Sequence, residues 1–199
     1  MRDEFNLGVT AYRVGYPYVS VFDEVLPRNF CHTLIEKFER NEPNEQVETF
    51  YAGIRHFIEV NISQNWPDEH LRLLAYLQEA WKVYQTMESL HCTQYPKQFG
   101  YEAFRMKRYL PNGHDEFALH TDVGSYASAR RFVSFLFYLN TVEKGGETEF
   151  GKTQGNASVT IPAVAGRLLI FPPLWTHPHW GCKVVSGPKY IVSGYLHYI

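Results

Sequence analysis

Hydrophobic residues recur at two different spacings along the chain, and the change from one to the other falls about half-way. Over 27–41, Phe30, Leu34 and Phe38 fall on one face of a helix. Over 68–90, apolar residues recur at spacings of three and four. The spacing predicts two helices, each with an apolar face that must be covered by another element.

After residue 97 the pattern changes to short runs of β-branched and aromatic residues, separated by Gly, Pro and Asn turn signals. Eight predicted strands fit these runs, at about 101–110, 116–121, 131–139, 146–150, 157–161, 166–171, 176–184 and 189–198. Strands of this length and spacing favour an antiparallel sandwich or jelly roll. We expect an α+β fold, a double-stranded β-helix (jelly roll) with N-terminal helices packed on the outside of the sheet. We expect one domain over 1–199, with a helical N-terminal part at 1–96 and a jelly-roll core at 97–199.

The composition excludes several classes of protein. With 19 Lys and Arg against 21 Asp and Glu, the net charge is −2, so we expect neither nucleic-acid nor membrane-surface binding. The three cysteines are widely spaced and form no Cys-x-x-Cys pair, which argues against a zinc ribbon or a disulfide framework. No apolar run reaches signal-peptide length or the ~20 residues of a membrane helix. We therefore expect a cytoplasmic protein.

Candidate metal ligands lie in two segments, LHTD and THPHWG. His120 and Asp122 are two residues apart at the end of a predicted strand, so their side chains point the same way. A third ligand must come from a distant strand, and His177 and His179 both lie on one face of the later segment. Two imidazoles and one carboxylate form the facial triad of non-haem iron(II) oxygenases, which leaves metal positions open for ligands.

A lysine in an unusual place adds to this pattern. Lys189 opens the last predicted strand, directly before the apolar run YIVSGY. A buried ammonium needs an anionic partner. The strand–turn–strand geometry would bring Lys189 into the interior of the roll, where a ligand carboxylate could be that partner.

Five motifs occur in order over about 101–198: YLPNGHDEFALHTD, FYLN, GGETEFG, GRLLIFPP and H-x4-V-x2-G-x-K. Together they resemble the prolyl 4-hydroxylase-type 2-oxoglutarate/iron(II)-dependent dioxygenases. The opening VSVFDEVLPRNFCHTLIEKF also resembles the family's entry into its first helix. The lysine of the last motif lies ten residues after His179 and twelve after His177, so the resemblance favours His179 as the third ligand.

The resemblance also implies a role for individual residues. The implied iron ligands and catalytic residues are His120, Asp122 and His179. Lys189 would form an ion pair with the far carboxylate of 2-oxoglutarate, Tyr138 would donate a hydrogen bond to that carboxylate, and Tyr109 would lie nearby. By strand alternation Ser193 and Tyr195 share the face of Lys189. The basic candidates for a substrate groove are Arg105, Lys107, Arg130, Arg131 and Lys144.

The implied activity is that of a hydroxylase that uses Fe(II), 2-oxoglutarate and O2, with ascorbate as reductant. The charges of Fe(II), Asp122, 2-oxoglutarate and Lys189 cancel, as a low-dielectric pocket requires. Peptidyl proline is the first choice of substrate, and a free amino acid or other small molecule is the alternative. Nucleobase repair is disfavoured, because no second arginine follows Lys189 at a suitable spacing. A non-catalytic, cupin-like metal-binding module is the alternative from another class, and it would not need Lys189 or Tyr138.

Overall fold

A computed structural model describes residues 9–40 and 45–199 of the chain. The helices are Arg28–Arg40 (α1), Ile62–Asn65 (α2) and Pro67–Met87 (α3), and a 3-10 turn covers Tyr126–Ser128. α1 and α3 are the two predicted helices. The predicted end of the first, at Asn41, and the charged residues at positions 2 to 4 lie outside the described residues. No helix in the described ranges is long and apolar enough to cross a membrane.

The longest helix, α3, shows how local sequence and packing act together. Pro67 occupies its first turn, where no intrahelical amide hydrogen bond is lost, and Asp68 and Glu69 place negative charge at the positive end of the helix dipole. Leu77 and Trp81 are among the residues that it buries. α3 therefore packs through one apolar face, as its spacing predicted.

The strands that the structure describes form one curled sheet. They are Thr10–Arg13 (β1), Ser20–Asp23 (β2), Gln46–Tyr51 (β3), Arg55–Asn61 (β4), Phe99–Tyr101 (β5), Arg105–Tyr109 (β6), Glu116–His120 (β7), Arg131–Tyr138 (β8), Thr148–Phe150 (β9), Val159–Ile161 (β10), Leu168–Phe171 (β11), His179–Gly181 (β12) and Lys189–Tyr198 (β13). Each of the eight predicted strands has a counterpart, the first being divided into β5 and β6. The predicted α+β jelly roll is confirmed.

Strand order shows why the roll closes. The order is β1-β2-β11-β8-β13-β6-β4-β7-β12-β9-β10, with β3 beside β4 and β5 beside β13. The pairings of the described strands are antiparallel, and β13 at the centre joins β8 on one side to β6 on the other. Sequence-distant segments are thereby brought together, and β7 comes to lie beside β12.

The N-terminal part is less helical than predicted, because β1 to β4 also lie within it. β1 and β2 extend the sheet beyond β11, and β3 and β4 form a hairpin that joins the sheet through β6 and β7. These strands are stabilised by pairing with distant strands, which local periodicity does not reveal. The helical description of 1–96 was therefore wrong for these segments, and the single-domain boundary stays a prediction.

The sheet separates two hydrophobic clusters. Because side chains alternate along a strand, neighbouring residues of one strand face different clusters. Phe135 and Phe137 of β8 face the cluster that contains the buried sides of α1 and α3, so the helices pack on the outside of the roll. Tyr138 of β8 and Ile191 of β13 face the second cluster, in the interior of the roll. The candidate site residues open onto this interior.

Candidate active site

The candidate metal ligands meet where β7 and β12 pair. His120 ends β7, His179 begins β12, and the antiparallel register sets them directly opposite each other. Asp122 follows two residues after His120. Its Oδ1 lies 3.6 Å from His120 Nε2, and its Oδ2 lies 3.7 Å from His179 Nε2. One ligand atom from each of the three residues lies within 4.8 Å of the others, so two distant segments surround one point.

Hydrogen bonds to the far side of each ligand fix the orientation of these side chains. Nδ1 of His120 lies 2.7 Å from the Ala118 carbonyl oxygen, and Nδ1 of His179 lies 2.9 Å from that of His177. Each Nδ1 must donate a proton to its carbonyl, so each Nε2 presents a lone pair to the centre. The Tyr195 hydroxyl donates to Asp122 Oδ1 at 2.8 Å, and the other carboxylate oxygen is left for a ligand.

A metal ion fits this centre, as two buried polar atoms show. His120 Nε2 and Asp122 Oδ2 have no hydrogen-bond partner among the described residues. Buried polar atoms in native proteins are nearly always paired, since an unpaired one costs about 1–3 kcal/mol. Both atoms carry a lone pair that can be donated to a metal ion, and both face the same point. A cation is the partner that satisfies them together.

Electrostatics holds these groups in the protonation states that metal binding needs. Burial alone would raise the pKa of Asp122, but the nearby His179 and His120, with the hydroxyl of Tyr195, lower it well below its usual range. Burial lowers the pKa of His179 to about 4, although Asp122 acts in the opposite direction. At neutral pH the triad therefore offers one carboxylate and a neutral His179, the forms that bind metals.

A cavity adjoins the triad within the roll. It is lined by Lys107, Tyr109, Phe117, His120, Asp122, Ser134, Leu136, Thr148, His179, Gly181, Lys189, Ile191, Ser193 and Tyr195. Ser193 and Tyr195 line it as strand alternation predicted. The cavity continues into a surface groove, which we call the mouth groove; the two share Lys107, Phe117, His120, Asp122, Ser193 and Tyr195.

Lys189 is a buried cation in this cavity. Only 3% of its surface is exposed, and it has no hydrogen bond or ion pair within residues 9–40 and 45–199. Its Nζ lies 5.5 Å from the ring centroid of Tyr109 and 5.7 Å from that of Tyr138. Burial lowers the pKa of Lys189 to about 8. An unpaired buried ammonium beside a candidate metal site can form an ion pair with a ligand carboxylate, and this role of Lys189 stays a prediction.

The two tyrosines differ in their access to the cavity. Tyr109 lines it, whereas Tyr138 does not. The hydroxyl of Tyr138 donates to Thr148 Oγ1 at 2.7 Å, and Thr148 lies at the cavity wall. Thr148 was missed from sequence, because only the folded sheet shows that its hydroxyl lies between Tyr138 and the cavity. Direct contact between Tyr138 and a co-substrate stays a prediction.

The other histidines lie away from the centre. His177 Nε2 contacts the carbonyl oxygen of Pro17 at 2.7 Å, and its Nδ1 contacts the hydroxyl of Thr176 at 2.8 Å. The structure therefore brings His179, and not His177, to the triad. His114 lies exposed in a turn, and His197 Nδ1 contacts the carbonyl oxygen of Tyr198.

Phe117 is a second cavity residue that the sequence did not reveal. Its ring stacks on His120, with centroids 3.6 Å apart and planes 3° apart. Alternation along a strand places residues 117 and 120 on opposite faces, so no periodic signal could have found this contact. Of the basic groove candidates, Arg105, Lys107 and Arg131 line the mouth groove, and Arg130 and Lys144 do not.

Comparisons with known proteins agree with this architecture. Residues 104–197 match the family described as the 2OG-Fe(II) oxygenase superfamily. A curated relative, prolyl 4-hydroxylase 13 of Arabidopsis thaliana, is 27% identical over 125 residues, which cover 52% of this chain and 45% of the relative. The aligned region thus spans less than half of that relative's length.

Several solved structures share the fold. The viral collagen prolyl hydroxylase vCPH of Paramecium Bursaria Chlorella virus-1 superposes with a TM-score of 0.65 at 20% identity, covering 92% of this chain and 97% of that chain. A prolyl-4-hydroxylase of Pseudomonas putida gives 0.68 at 19% identity, covering 93% and 94%. A Trichoplax adhaerens prolyl hydroxylase, solved with a hypoxia inducible factor peptide fragment, gives 0.69 at 16% identity, covering 91% and 84%.

The curled antiparallel sheet and the matched segment indicate one class, since residues 104–197, just under half of the chain, match the 2OG-Fe(II) oxygenase superfamily. The chain is also similar to proteins of the prolyl 4-hydroxylase type, the resemblance that its motifs predicted.

Proposed function

We propose that this protein is a 2-oxoglutarate- and O2-dependent hydroxylase with a non-haem Fe(II) centre, acting on proline in a peptide or protein. One observation carries the proposal: three ligand groups, two of them with an unsatisfied buried atom, surround a point beside a cavity that holds an unpaired buried lysine. A metal alone would satisfy the triad, but it would leave Lys189 without a partner. A metal together with a diacid satisfies both.

In this proposal His120, Asp122 and His179 hold the iron. When bound, Fe(II) and 2-oxoglutarate supply the activation of O2, with release of succinate and CO2 and insertion of one oxygen atom into a substrate C–H bond. The side chains of the protein hold the metal ligands in position. Tyr195 orients the carboxylate of Asp122, and Arg131 donates to the Asp122 backbone carbonyl oxygen at 3.0 Å.

Co-substrate binding is assigned to the inner end of the cavity. Lys189 receives the far carboxylate of 2-oxoglutarate, with Tyr109 and Thr148 at the same wall and Tyr138 behind Thr148. Phe117, Leu136 and Ile191 provide apolar walls that exclude water. An ion pair inside such walls is stronger than one at the surface, since the local dielectric constant is low.

A peptide is favoured over a free amino acid because the cavity opens into a surface groove that extends beyond the triad. The mouth groove reaches from Thr49 and Ile54 of the β3–β4 hairpin to Gly194 of β13. A segment of extended chain fits a groove of this kind, and a small metabolite would leave much of it unfilled. The cytoplasmic location and ascorbate as reductant stay predictions.

The test begins without oxygen. Addition of Fe(II) and 2-oxoglutarate should produce the weak visible absorption of a chelated 2-oxo acid, which a metal-binding module without co-substrate would lack. On admission of air, with ascorbate, proline peptides should gain the mass of one oxygen atom and release one succinate per hydroxylation. Free proline is the comparison substrate.

Asp122→Ala should lose both the absorption and the hydroxylation, because the carboxylate ligand is removed. The matched control is Asp68→Ala, which changes an exposed aspartate in the first turn of α3. Full turnover by Asp122→Ala would refute the ligand assignment, and hydroxylation of free proline in preference to peptides would move the substrate to the small-molecule class.

A further inference from the structure

A second lysine, Lys107, lies between the proposed co-substrate site and the surface. β6 and β13 pair so that Tyr109 is opposite Lys189, Lys107 is opposite Ile191, and Arg105 is opposite Ser193. Residues two apart on a strand share a face and are separated by about 7 Å. Lys107 therefore lies one step further towards the surface than Lys189, and it lines both the cavity and the mouth groove.

Lys107 has no anionic partner in the described part of the chain. Its Nζ lies over the rings of Phe57 and Phe117, at 4.9 and 5.8 Å from their centroids. The nearby Glu59 forms an ion pair with Arg105, with 3.2 Å between Oε1 and the guanidinium nitrogen. Burial lowers the pKa of Lys107, as expected for an ammonium held against apolar rings.

The arginines of the groove divide into paired and unpaired groups. Arg131 is bound to Glu102 at 2.8 Å, and Arg105 to Glu59. Arg55 of β4 is exposed, lies 6.0 Å from the ring centroid of Phe117, and has no ion pair among the described residues. Two uncompensated cations, Lys107 and Arg55, thus lie around the ring that covers His120.

Charge balance favours a partner other than the co-substrate for Lys107 and Arg55. In the proposed function, the charges of iron, Asp122, 2-oxoglutarate and Lys189 already cancel. Lys107 and Arg55 then add positive charge, and neither has an ion-pair partner among the described residues, since the nearby Glu59 pairs with Arg105. An incoming anionic group is favoured here, because the attraction acts in a partly desolvated groove.

We infer that Lys107 and Arg55 receive a carboxylate of the substrate, so that the preferred substrate is a peptide with an Asp or Glu next to the residue that is hydroxylated. This inference rests on the proposed function, and it narrows the substrate to acidic sequences.

The experiment measures peptide binding and does not depend on turnover. Protein loaded with Fe(II) and 2-oxoglutarate is kept anaerobic, and the fluorescence anisotropy of labelled proline peptides is followed. The peptides differ only in carrying Asp or Glu, or the matching amide Asn or Gln, beside the proline. We expect the acidic peptides to bind about tenfold or more tightly than the amides, as for a hydrogen bond between charged groups, and added salt to reduce the difference.

Lys107→Gln should bring the ratio of the two affinities close to one, whereas Lys107→Arg should keep most of it. Lys144→Gln is the matched control, because Lys144 is exposed and outside the groove. Equal affinity of the wild-type protein for acidic and amide peptides, including no binding of either, overturns the inference. So does a Lys107→Gln variant that loses 2-oxoglutarate affinity and keeps the acidic preference, since Lys107 would then serve the co-substrate.

Failure of this inference and failure of the proposed function have different signatures. If the function holds and the inference fails, the visible absorption forms and proline is hydroxylated without regard to neighbouring charge. If the function fails, the absorption and the oxygen insertion are both absent, whatever the peptides show.

Discussion

Replacement of Lys189 by methionine should have opposite effects on fold stability and on co-substrate binding. Methionine keeps much of the length of the side chain and removes its charge. In the ligand-free protein the ammonium is buried without a partner, and burial lowers its pKa from 10.5 to about 8. Since each tenfold change in an equilibrium is worth about 1.4 kcal/mol, the charged side chain costs the ligand-free fold about 3 kcal/mol at neutral pH.

The sign of this effect follows from the direction of the pKa change. The pKa of Lys189 is lower in the folded chain, so the cost is full below pH 8 and disappears as pH rises towards 10.5. Lys189→Met should therefore raise the free energy of unfolding by about 3 kcal/mol at pH 7, with a smaller gain between pH 8 and 10.5. Urea unfolding without metal or 2-oxoglutarate measures it.

Binding of 2-oxoglutarate should change in the other direction. Loss of one partner of a buried ion pair costs about 3–5 kcal/mol, so the Kd should rise on the order of a hundred- to a thousandfold. Anaerobic titration of the visible absorption measures this Kd. Lys152→Met, at an exposed lysine, is the control for both measurements. A Lys189→Met protein that is less stable without ligand and binds 2-oxoglutarate normally would refute the reasoning.

Three further outcomes follow from the same contacts. Tyr195→Phe removes the hydrogen bond to Asp122 Oδ1, so metal affinity should fall about ten- to a hundredfold in competition with a chelating indicator; unchanged affinity would contradict the orienting role. Because only the cationic form of Lys189 attracts a dianion, 2-oxoglutarate affinity should fall about tenfold for each pH unit above 8, and a flat titration between pH 7 and 10 would count against it. Leu77→Ala, at a 1% exposed position of α3, should lower the free energy of unfolding by about 2–5 kcal/mol in urea, with metal affinity unchanged; a loss of metal binding in the folded variant would contradict the separation of the two cores.

The sequence predicted the strands after residue 97 because those strands combine β-branched and aromatic residues with clear turn signals. β8 and β13 are the two longest strands, and they pair along most of their length. The pair of His120 and Asp122 could be predicted from sequence because residues two apart on a strand point to the same face. Lys189 was recognised because a charged residue at the start of an apolar strand conflicts with its surroundings.

Features that depend on distant pairing could not be predicted in this way. β3 and β4 join the sheet through β6 and β7; the Ala52-Gly53 dipeptide between two runs rich in β-branched and aromatic residues was the hairpin signal that could have found them. The backbone carbonyls that accept from His120 and His179 have no signature in side-chain chemistry. Likewise, the sequence does not show that Glu59 forms its ion pair with Arg105, which leaves Lys107 without an ion-pair partner.

The distribution of unsatisfied groups connects the stability of this fold with its proposed chemistry. Of the three buried side-chain atoms without a partner in the described ranges, two belong to His120 and Asp122, and Lys189 adds a buried charge in the same cavity. The fold tolerates these unsatisfied groups because Tyr195 and the backbone carbonyls fix the ligand side chains even without metal. The site is therefore preorganised, and this lowers the stability of the ligand-free fold. A cation bound together with a diacid would restore that stability. For this reason a substitution that stabilises the empty protein, such as Lys189→Met, is expected to weaken the loaded one.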